Sequence, residues 1–314
     1  MELKQIRYFV GVCEAGSLLQ AAQRLHIAQP ALGQHIAELE RQLGTPLFVR
    51  TNRGMTPTDA GLRFLDHARI LLADVERARQ AVQDLAATPQ GEVSIGLPTT
   101  VALAVTLPLL QACRSHYPQV QLKIVEAYSG FLVEWLRMGR LDVAVLFGDT
   151  TEAGLDKEAL LDERLALVAS PAAAPLPAEV SLAHLAQRPL VLPGREHGLR
   201  RILDTACAAA GIRLQVVAEI DSLTSVKRAA ETALGQTVLS LASVSEEVRA
   251  GRLQAAPIAS SSLSRRVVCA TSLTRPTTVA ADAVRQLLVD AIRDLVRSGA
   301  WPATPLPRRA PLRS

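Results

Sequence analysis

One short segment with an uncharged face constrains the fold of this chain more than any other feature. Residues 26–40 read HIAQPALGQHIAELE, and Leu32 and Ile36 recur at the spacing of one helix face. Pro30 precedes them at a position where the first turn of a helix tolerates a missing N–H. The opposite face carries Gln34 and small residues where a solvent-facing helix usually carries Lys and Glu. Taken alone, this pattern is compatible both with an ordinary solvated face and with a face shaped for a partner.

The residues before this segment predict two further helices. Apolar residues recur at helical spacing from Leu3 to Cys13, and Gly16 ends that run. The tetrapeptide SLLQ then fits a capping box, in which the Ser17 hydroxyl accepts from the backbone and Gln20 reaches back. Two short helices joined by a tight turn, the second with an uncharged polar face, predict a helix-turn-helix that enters the major groove of DNA. Glutamine amides can bond to adenine there.

A small wing follows the helix-turn-helix. The stretch PLFVRTNRGMTPTDAG at residues 46–61 contains a strand-like segment, an NRG turn and a return through Met55 and Thr56. Arg50 and Arg53 lie near the tip of this wing. Arginine is attracted to phosphates and to narrow minor grooves, so both residues are candidate DNA contacts.

These motifs together resemble the winged-helix domain of LysR-type transcriptional regulators. The matching positions are Ser17, Ala21, Ala22, Leu25, QPALxQ at 29–34, Ile36, LE at 39–40, LG at 43–44, LFxR at 47–50, RG at 53–54 and TxAG at 58–61. The resemblance implies DNA contacts for Ser17, Gln29, Pro30, Gly33, Gln34, Arg50 and Arg53. Gly33 departs from the family, which usually has Ser at this position. Either DNA approaches the helix backbone closely there, or the protein reads a less typical site.

A long helix is predicted from Thr58 to about residue 87. No Pro or Gly follows Gly61 in this stretch, and apolar residues recur between charged ones. About thirty residues would form a rod of roughly 45 Å. Its apolar stripe needs a partner, which is either the same helix of a second subunit or another part of the chain. The resemblance favours a dimer, and often a dimer of dimers, with ATPQG at 87–91 as the hinge.

After this hinge, strand and helix patterns alternate. The order strand, helix, strand, helix, strand between residues 92 and 147 predicts a parallel sheet. A second α/β lobe begins near Glu163, and SRRVVCATS at 264–272 returns the chain to the first lobe. Two such lobes resemble the effector-binding half of the same family and the periplasmic solute-binding proteins. The predicted fold is an N-terminal all-α winged helix-turn-helix with a long linker helix, followed by an α/β two-lobed periplasmic-binding-protein-like domain.

These patterns divide the chain into five predicted parts. The parts are a winged helix-turn-helix at 1–58, a linker or dimerisation helix with its hinge at 59–91, an effector-binding lobe I at 92–162 and 268–300, a lobe II at 163–267, and a disordered basic tail at 301–314.

The ends of the predicted strands nominate six residues for an effector site. Ligands of α/β folds bind at the carboxyl ends of strands and at helix N-termini. The residues at such positions are Thr99, Thr100, Ser129, Phe147, His197 and Thr224. Hydroxyls and free backbone N–H groups favour a carboxylate or another small anion. Each residue is equally compatible with an ordinary cap or loop.

The sequence disfavours several other classes of protein. It has no GxSxG, GxxxxGK[ST], HExxH or glycine-rich dinucleotide motif, so neither an enzyme nor a cofactor is expected. Scattered cysteines without a CxxC pair suggest reduced thiols in a cytoplasmic protein, and no histidine spacing suggests a metal site. The uncharged run 93–113 is interrupted by Pro98 and Pro108. We interpret it as a buried strand and helix rather than a membrane span.

We therefore expect a regulator that binds dyad promoter sites in double-stranded DNA as a dimer or tetramer and responds to a small anionic metabolite. RNA polymerase is a further partner expected of such a regulator. The segments LHIAQPAL, RTNRGMTPTDAG and LPLLQACRSHYP resemble the nitrogen assimilation control branch, whose members can act without a small-molecule inducer. Two alternatives stay open: a solute-binding protein, and an inducer-independent regulator with a vestigial ligand cleft.

Overall fold

The computed structural model describes residues 1–51, 54–83, 88–148, 153–260 and 263–307. These residues form two compact units, one N-terminal and one C-terminal, with residues 138–140 falling outside the C-terminal unit. Arg53, the first residue of the predicted hinge at 87–91 and the part of the predicted tail from residue 308 onward lie outside the described residues.

Three helices form the core of the N-terminal unit. They are α1 (Leu3–Ala15), α2 (Leu18–Arg24) and α3 (Gln29–Leu43). As predicted, Gly16 ends α1, and Gly44 ends α3 in the same way, with left-handed φ angles of 62° and 67°. Phe9 of α1 and Leu32 of α3 are fully buried in one shared apolar core. The predicted helix-turn-helix is confirmed.

The start of α2 differs from the prediction. Ser17 occupies the N-cap position, but its side chain makes no cap hydrogen bond, so the predicted capping box with Gln20 is wrong. The helix begins instead on a main-chain hydrogen bond of 2.9 Å from Ala21 N to Ser17 O. The Ser17 hydroxyl is therefore not used to start the helix.

A two-stranded antiparallel wing, β1 (Phe48–Thr51) and β2 (Gly54–Pro57), follows α3. Its second strand is fixed to the turn between α1 and α2, because Met55 N donates to Gly16 O at 2.8 Å. A Cβ on Gly54 would lie 2.3 Å from the same oxygen, and a Cβ on Gly61 would lie 2.1 Å from Leu47 O. Close packing therefore requires both of these glycines.

The long linker helix is confirmed as α4 (Asp59–Gln83), whose 25 residues extend for about 37 Å. Its first half packs into the core through Leu65 and Ala68. Further along, Leu71 and Val75 are 39% and 38% exposed. The described part of the N-terminal unit thus leaves apolar side chains of α4 in contact with solvent.

The first lobe of the C-terminal unit has the predicted alternation of strands and helices. Its elements are β3 (Gly91–Leu97), α5 (Thr99–His116), β4 (Val120–Glu126), α6 (Ser129–Arg137) and β5 (Val143–Phe147). β3 pairs in parallel with both β4 and β5, so it is the middle strand of the three. α5 packs on one face of this sheet and α6 on the other. The carboxyl ends of the three strands consequently lie at one edge.

Two long antiparallel strands, β6 (Leu155–Ala169) and β11 (Ser264–Ser272), join the two lobes. The elements between them form lobe II, namely α7 (Leu182–Leu185), β7 (Pro189–Leu192), α8 (Gly198–Ala209), β8 (Gln215–Glu219), α9 (Leu223–Glu231), β9 (Thr237–Ser240), α10 (Leu241–Arg249) and β10 (Gln254–Pro257). β7 and β8 are parallel, while β9 and β10 pair antiparallel with β6. The sequence patterns do not predict α10, which follows β9 without a turn, or the short strand β10.

The predicted lobe boundaries at 162/163 and 267/268 fall inside these two long strands. β6 pairs with β11 through residue 164 and with β9 and β10 from residue 165 onward. β6 therefore belongs to both lobes, whereas β11 pairs with β5 and with the first part of β6. After β11, helix α11 (Val279–Arg297) returns to pack against the lobe I core.

The segment after α11 corrects the prediction of a disordered tail. Trp301 is only 1% exposed, and its Nε1–H donates to Glu163 at 3.1 Å. β12 (Thr304–Pro305) pairs antiparallel with β6, and Leu306 N donates to Leu160 O at 2.9 Å. The prediction is wrong for residues 301–307, because one large apolar side chain anchors a segment whose composition is otherwise typical of disorder.

Candidate nucleic-acid interface and effector cleft

Helix α3 separates an apolar face from an uncharged exposed face. Leu32, Ile36 and Leu39 are buried, which leaves the opposite side of the helix open. Over residues 29–37, the exposed residues on that side are Gln29, Pro30, Gln34 and Ala37. None of them is charged, and two carry amides that can bond to base edges. The structure thus brings Gln29, Pro30 and Gln34, all predicted DNA contacts, onto one surface.

Charges on α3 begin only in its second half. Arg41 forms a forked contact with Glu38, with Nε–Oε2 and Nη2–Oε1 distances of 2.8 and 2.5 Å, and Gln42 donates to the same carboxylate. The hydrogen bonds from Arg41 and then Gln42 lower the pKa of Glu38 to about 2. The charge of Arg41 is therefore balanced within the helix. Arg50 lies exposed on β1, and Ser17 is half-buried at the start of α2.

Glu40 has a structural role that the sequence analysis missed. Its Oε1 accepts hydrogen bonds from Leu47 N at 2.7 Å and from Phe48 N at 3.1 Å. A carboxylate of α3 thereby fixes the main chain at the start of β1, and charge-assisted hydrogen bonds of this kind are comparatively strong. One side chain holds the recognition helix and the wing together. Its position in the sequence gave no signal, because both donors lie beyond the end of the helix.

Gly33 differs from the two glycines that close packing requires. Its backbone is helical within α3, and an added Cβ would meet no atom within 4 Å. In a helix interior, glycine costs about 1 kcal/mol relative to alanine. No described contact of Gly33 offsets this cost, whereas the neighbours of Gly54 and Gly61 exclude a Cβ outright.

Four of the six predicted effector residues lie at the carboxyl edge of lobe I. Thr99 and Thr100 open α5, and Thr100 Oγ1 is buried without a hydrogen-bond partner among the described residues. Ser129 opens α6, where its Oγ accepts from Phe147 N at 3.1 Å and joins the ends of β4 and β5. A buried hydroxyl without a partner is uncommon in folded proteins, so Thr100 marks a position suited to a ligand atom.

His197 lies in lobe II and contacts a residue of lobe I. It caps α8, with Nδ1 accepting from Leu199 N at 3.1 Å, and its ring meets that of Tyr128 edge to face at 5.0 Å. Burial, followed by Arg265, lowers the pKa of His197 to about 4, while Asp221 acts in the opposite direction. The ring is therefore neutral near pH 7, in agreement with an accepting Nδ1. Tyr128 was not predicted from the sequence.

A buried ion pair lies beside Phe147. The Arg265 guanidinium lies 3.7 Å from the centre of the Phe147 ring, and its Nε donates to Glu163 Oε1 at 2.5 Å. Oε2 of Glu163 accepts from Trp301. The side chains of Arg265 and Glu163 are 2% and 1% exposed. The positive charge of Arg265 is thus balanced by Glu163 within the protein. Neither charged residue was predicted, because their pairing joins positions 102 residues apart.

The last predicted effector residue, Thr224, lies exposed in the first turn of α9, without a described contact to the other candidates. In the described ranges, no three His, Cys, Asp or Glu side chains are placed to hold a metal ion. Among the helices that the structure describes, none combines the length and apolar character needed to cross a membrane. The uncharged run 93–113 is a buried strand followed by a helix, β3 and α5, as interpreted from its prolines.

A winged helix-turn-helix, a long helix and a two-lobed α/β domain define the class of effector-responsive DNA-binding regulators. Residues 3–62 match the family model of the bacterial regulatory helix-turn-helix proteins of the lysR family, and residues 86–293 match that of the LysR substrate binding domain. The chain belongs to the LysR family of DNA-binding transcriptional regulators.

Individual relatives agree with this assignment. The nitrogen assimilation regulatory protein nac of Klebsiella aerogenes is 39% identical over 241 residues, which are 76% of this chain and 78% of that protein. A full-length OxyR variant from Pseudomonas aeruginosa has a TM-score of 0.71 at 24% identity, over 93% of this chain and 95% of that one. Full-length CbnR complexed with its target DNA has a TM-score of 0.69 at 23% identity, over 94% and 99%. The first confirms the resemblance to the nitrogen assimilation control branch, and the two structures show the fold.

Proposed function

We propose that this regulator binds an interrupted dyad in promoter DNA as a dimer or tetramer, and that a small anionic metabolite in the lobe cleft alters its arrangement on the DNA. The uncharged exposed face of α3 carries the proposal. Gln29 and Gln34 would bond to base edges in the major groove. Arg50 and Arg53 would contact phosphates or the adjoining minor groove. Ser17, Pro30 and Gly33 would complete the contact surface.

The apolar residues of α4 support a dimer. Leu71 and Val75 of α4 are both more than a third exposed, although Leu72 between them packs against the core. Pairing of α4 with the same helix of a second chain would cover such side chains and place two recognition helices on one DNA molecule. A twofold arrangement of this kind matches a DNA site with dyad symmetry.

The N-terminus of α5 supports an anionic effector. The Thr100 hydroxyl has no partner within the described residues, and Thr99 lies beside it at the positive end of the helix dipole. His197 near pH 7 and the ion pair of Arg265 with Glu163 are electrically neutral. In this proposal the anion is bound by the helix end and its hydroxyls, with Ser129, Phe147, His197 and Thr224 shaping the cleft.

A second candidate function is regulation without an inducer. The edge-to-face contact of Tyr128 with His197, with ring centres 5.0 Å apart, directly bridges the two lobes of the cleft. The resemblance of three sequence segments to the nitrogen assimilation control branch, whose members can act without an inducer, favours the same reading. In either case we propose that the protein acts by binding rather than by catalysis, and that it acts in the cytoplasm, where promoter DNA lies.

Selection of bound duplexes from a random pool by the full-length protein, near physiological salt, tests the proposal. The expected product is an interrupted dyad. The double variant Gln29→Ala/Gln34→Ala should lose affinity for this site, whereas Gln42→Ala, on the same helix but away from the contact face, should retain it. Binding without sequence enrichment, fading steeply as salt is raised, would show only attraction to phosphate and would refute specific recognition.

A further inference from the structure

Gly33 lies where the buried and the exposed sides of α3 meet. Positions four residues apart are neighbours on a helix surface, so Gly33 lies directly between Gln29 and Ala37. Both neighbours are exposed, and Gly33 itself is half-buried. The surface at this point consists of main chain alone, flanked by an amide side chain that can bond to a base edge.

Neither of the usual structural reasons for a glycine applies here. The backbone of Gly33 is right-handed helix, since glycine-specific φ angles occur elsewhere in the chain and not at this residue. Close packing is also excluded, because an added Cβ would find no atom within 4 Å. The free protein therefore bears the helix-weakening effect of glycine with no internal contact that requires it. A partner that approaches this surface would supply the missing reason.

We propose that Gly33 sets the distance between α3 and the base edges of the major groove. The absent side chain lets the helix surface beside Gln29 approach the bases more closely than any other residue would allow. Gly33 is then a specificity-determining residue because its missing side chain permits a shorter distance between helix and bases. It needs no hydrogen bond of its own. The inference rests on the proposed function and concerns how the same surface reads DNA.

Two substitutions of increasing size test this reading. Gly33→Ala and Gly33→Leu place better helix formers in α3, so both should stabilise the free protein, for alanine by about fivefold in the folding equilibrium constant. Both should nevertheless bind the selected dyad more weakly, about tenfold for alanine and more for leucine. Affinity for random duplex should change by less than about twofold, because nonspecific binding depends on phosphates.

Gly130→Ala serves as the matched control, since a Cβ at this glycine of α6 also meets nothing within 4 Å. Its affinity for DNA should equal that of the unmodified protein.

Thermal unfolding and titration of labelled DNA, measured on the same preparations, separate the outcomes. Greater stability together with weaker specific binding supports the proposal, because loss of folding cannot explain it. Unchanged affinity of both variants for the selected dyad would overturn it while leaving the proposed function intact. An equal loss on random duplex would also overturn it. If the unmodified protein selects no dyad at all, the proposed function fails, and this inference fails with it.

Discussion

Removal of one charge from the buried pair of Arg265 and Glu163 tests how much this ion pair contributes to holding β6 and β11 together. Glu163→Gln keeps the size of the side chain but leaves the guanidinium of Arg265, 2% exposed, without its counter-charge. Breaking a buried ion pair from one side destabilises a protein by about 3–5 kcal/mol. The carboxylate that accepts from Trp301 is lost at the same time. We expect the C-terminal unit to be destabilised by about 4 kcal/mol.

Urea unfolding followed by tryptophan fluorescence measures this effect selectively. The chain has two tryptophans, Trp135 and Trp301, and both belong to the C-terminal unit. With a urea dependence of about 2–3 kcal/mol per M, the expected loss lowers the midpoint by roughly 1.3–2 M. Glu179→Gln is the matched control. Glu179 pairs with Arg164, the residue next to Glu163 in β6, but both side chains of this pair are about half exposed. The urea midpoint of Glu179→Gln should therefore barely change.

A double variant distinguishes an unpaired charge from a general loss of packing. Glu163→Met/Arg265→Met removes both charges, and buried pairs replaced by apolar side chains of similar volume often lose no stability. The double variant should therefore unfold at a higher urea concentration than Glu163→Gln alone. A single-variant shift no larger than that of the control, or a double variant less stable than the single, would refute the reasoning.

Three further predictions concern the wing, a helix end and the cleft. Glu40→Ala removes the acceptor of two main-chain N–H groups at the start of the wing and should destabilise the N-terminal unit by about 1–3 kcal/mol, measured by thermal circular dichroism. Gly44→Ala forces a left-handed φ of 67° on an L-residue and should cost about 1–2 kcal/mol in the same assay. The pKa of His197 lies at about 4 in the folded chain, below its ordinary 6.5, so protons bind the unfolded chain more tightly. The contribution of His197 to the free energy of unfolding should be complete above pH 6.5. It should decline by at most about 3 kcal/mol as the pH falls towards 4. Urea midpoints across this range should depend less steeply on pH for His197→Gln than for the unmodified protein, and parallel profiles would contradict the assignment.

Local signals explain what the sequence predicted well. Gly16 and Gly44 end their helices because a left-handed residue stops a helix wherever it stands, and the apolar spacing of α3 defines its buried face without reference to the rest of the fold. The capping box at Ser17 shows the limit of such reasoning. The residue does occupy the N-cap, but a main-chain hydrogen bond is present there and the side chain makes no cap hydrogen bond.

The candidate cleft shows why the rest was not predictable. A rule about strand ends placed His197 in the loop that follows a strand, and in the structure His197 is the N-cap residue of the next helix, α8. The same rule could not supply its ring partner Tyr128, since that contact depends on how two lobes meet. The pair of Arg265 and Glu163 likewise depends on register between distant strands. Predicted lobe boundaries fell inside these strands because the apolar pattern of a strand does not change where its pairing partner does.

The burial of Trp301 changes where the C-terminal domain ends. The region that this chain shares with its family model stops at residue 293, inside α11. The physical domain continues through Trp301, one of the largest fully buried side chains in the protein, to the main-chain bond of Leu306. A fragment cut at the last shared residue would expose the lobe I core and leave Glu163 without its indole donor. The stretch that matches the family model thus ends before the residues that complete the core of this domain.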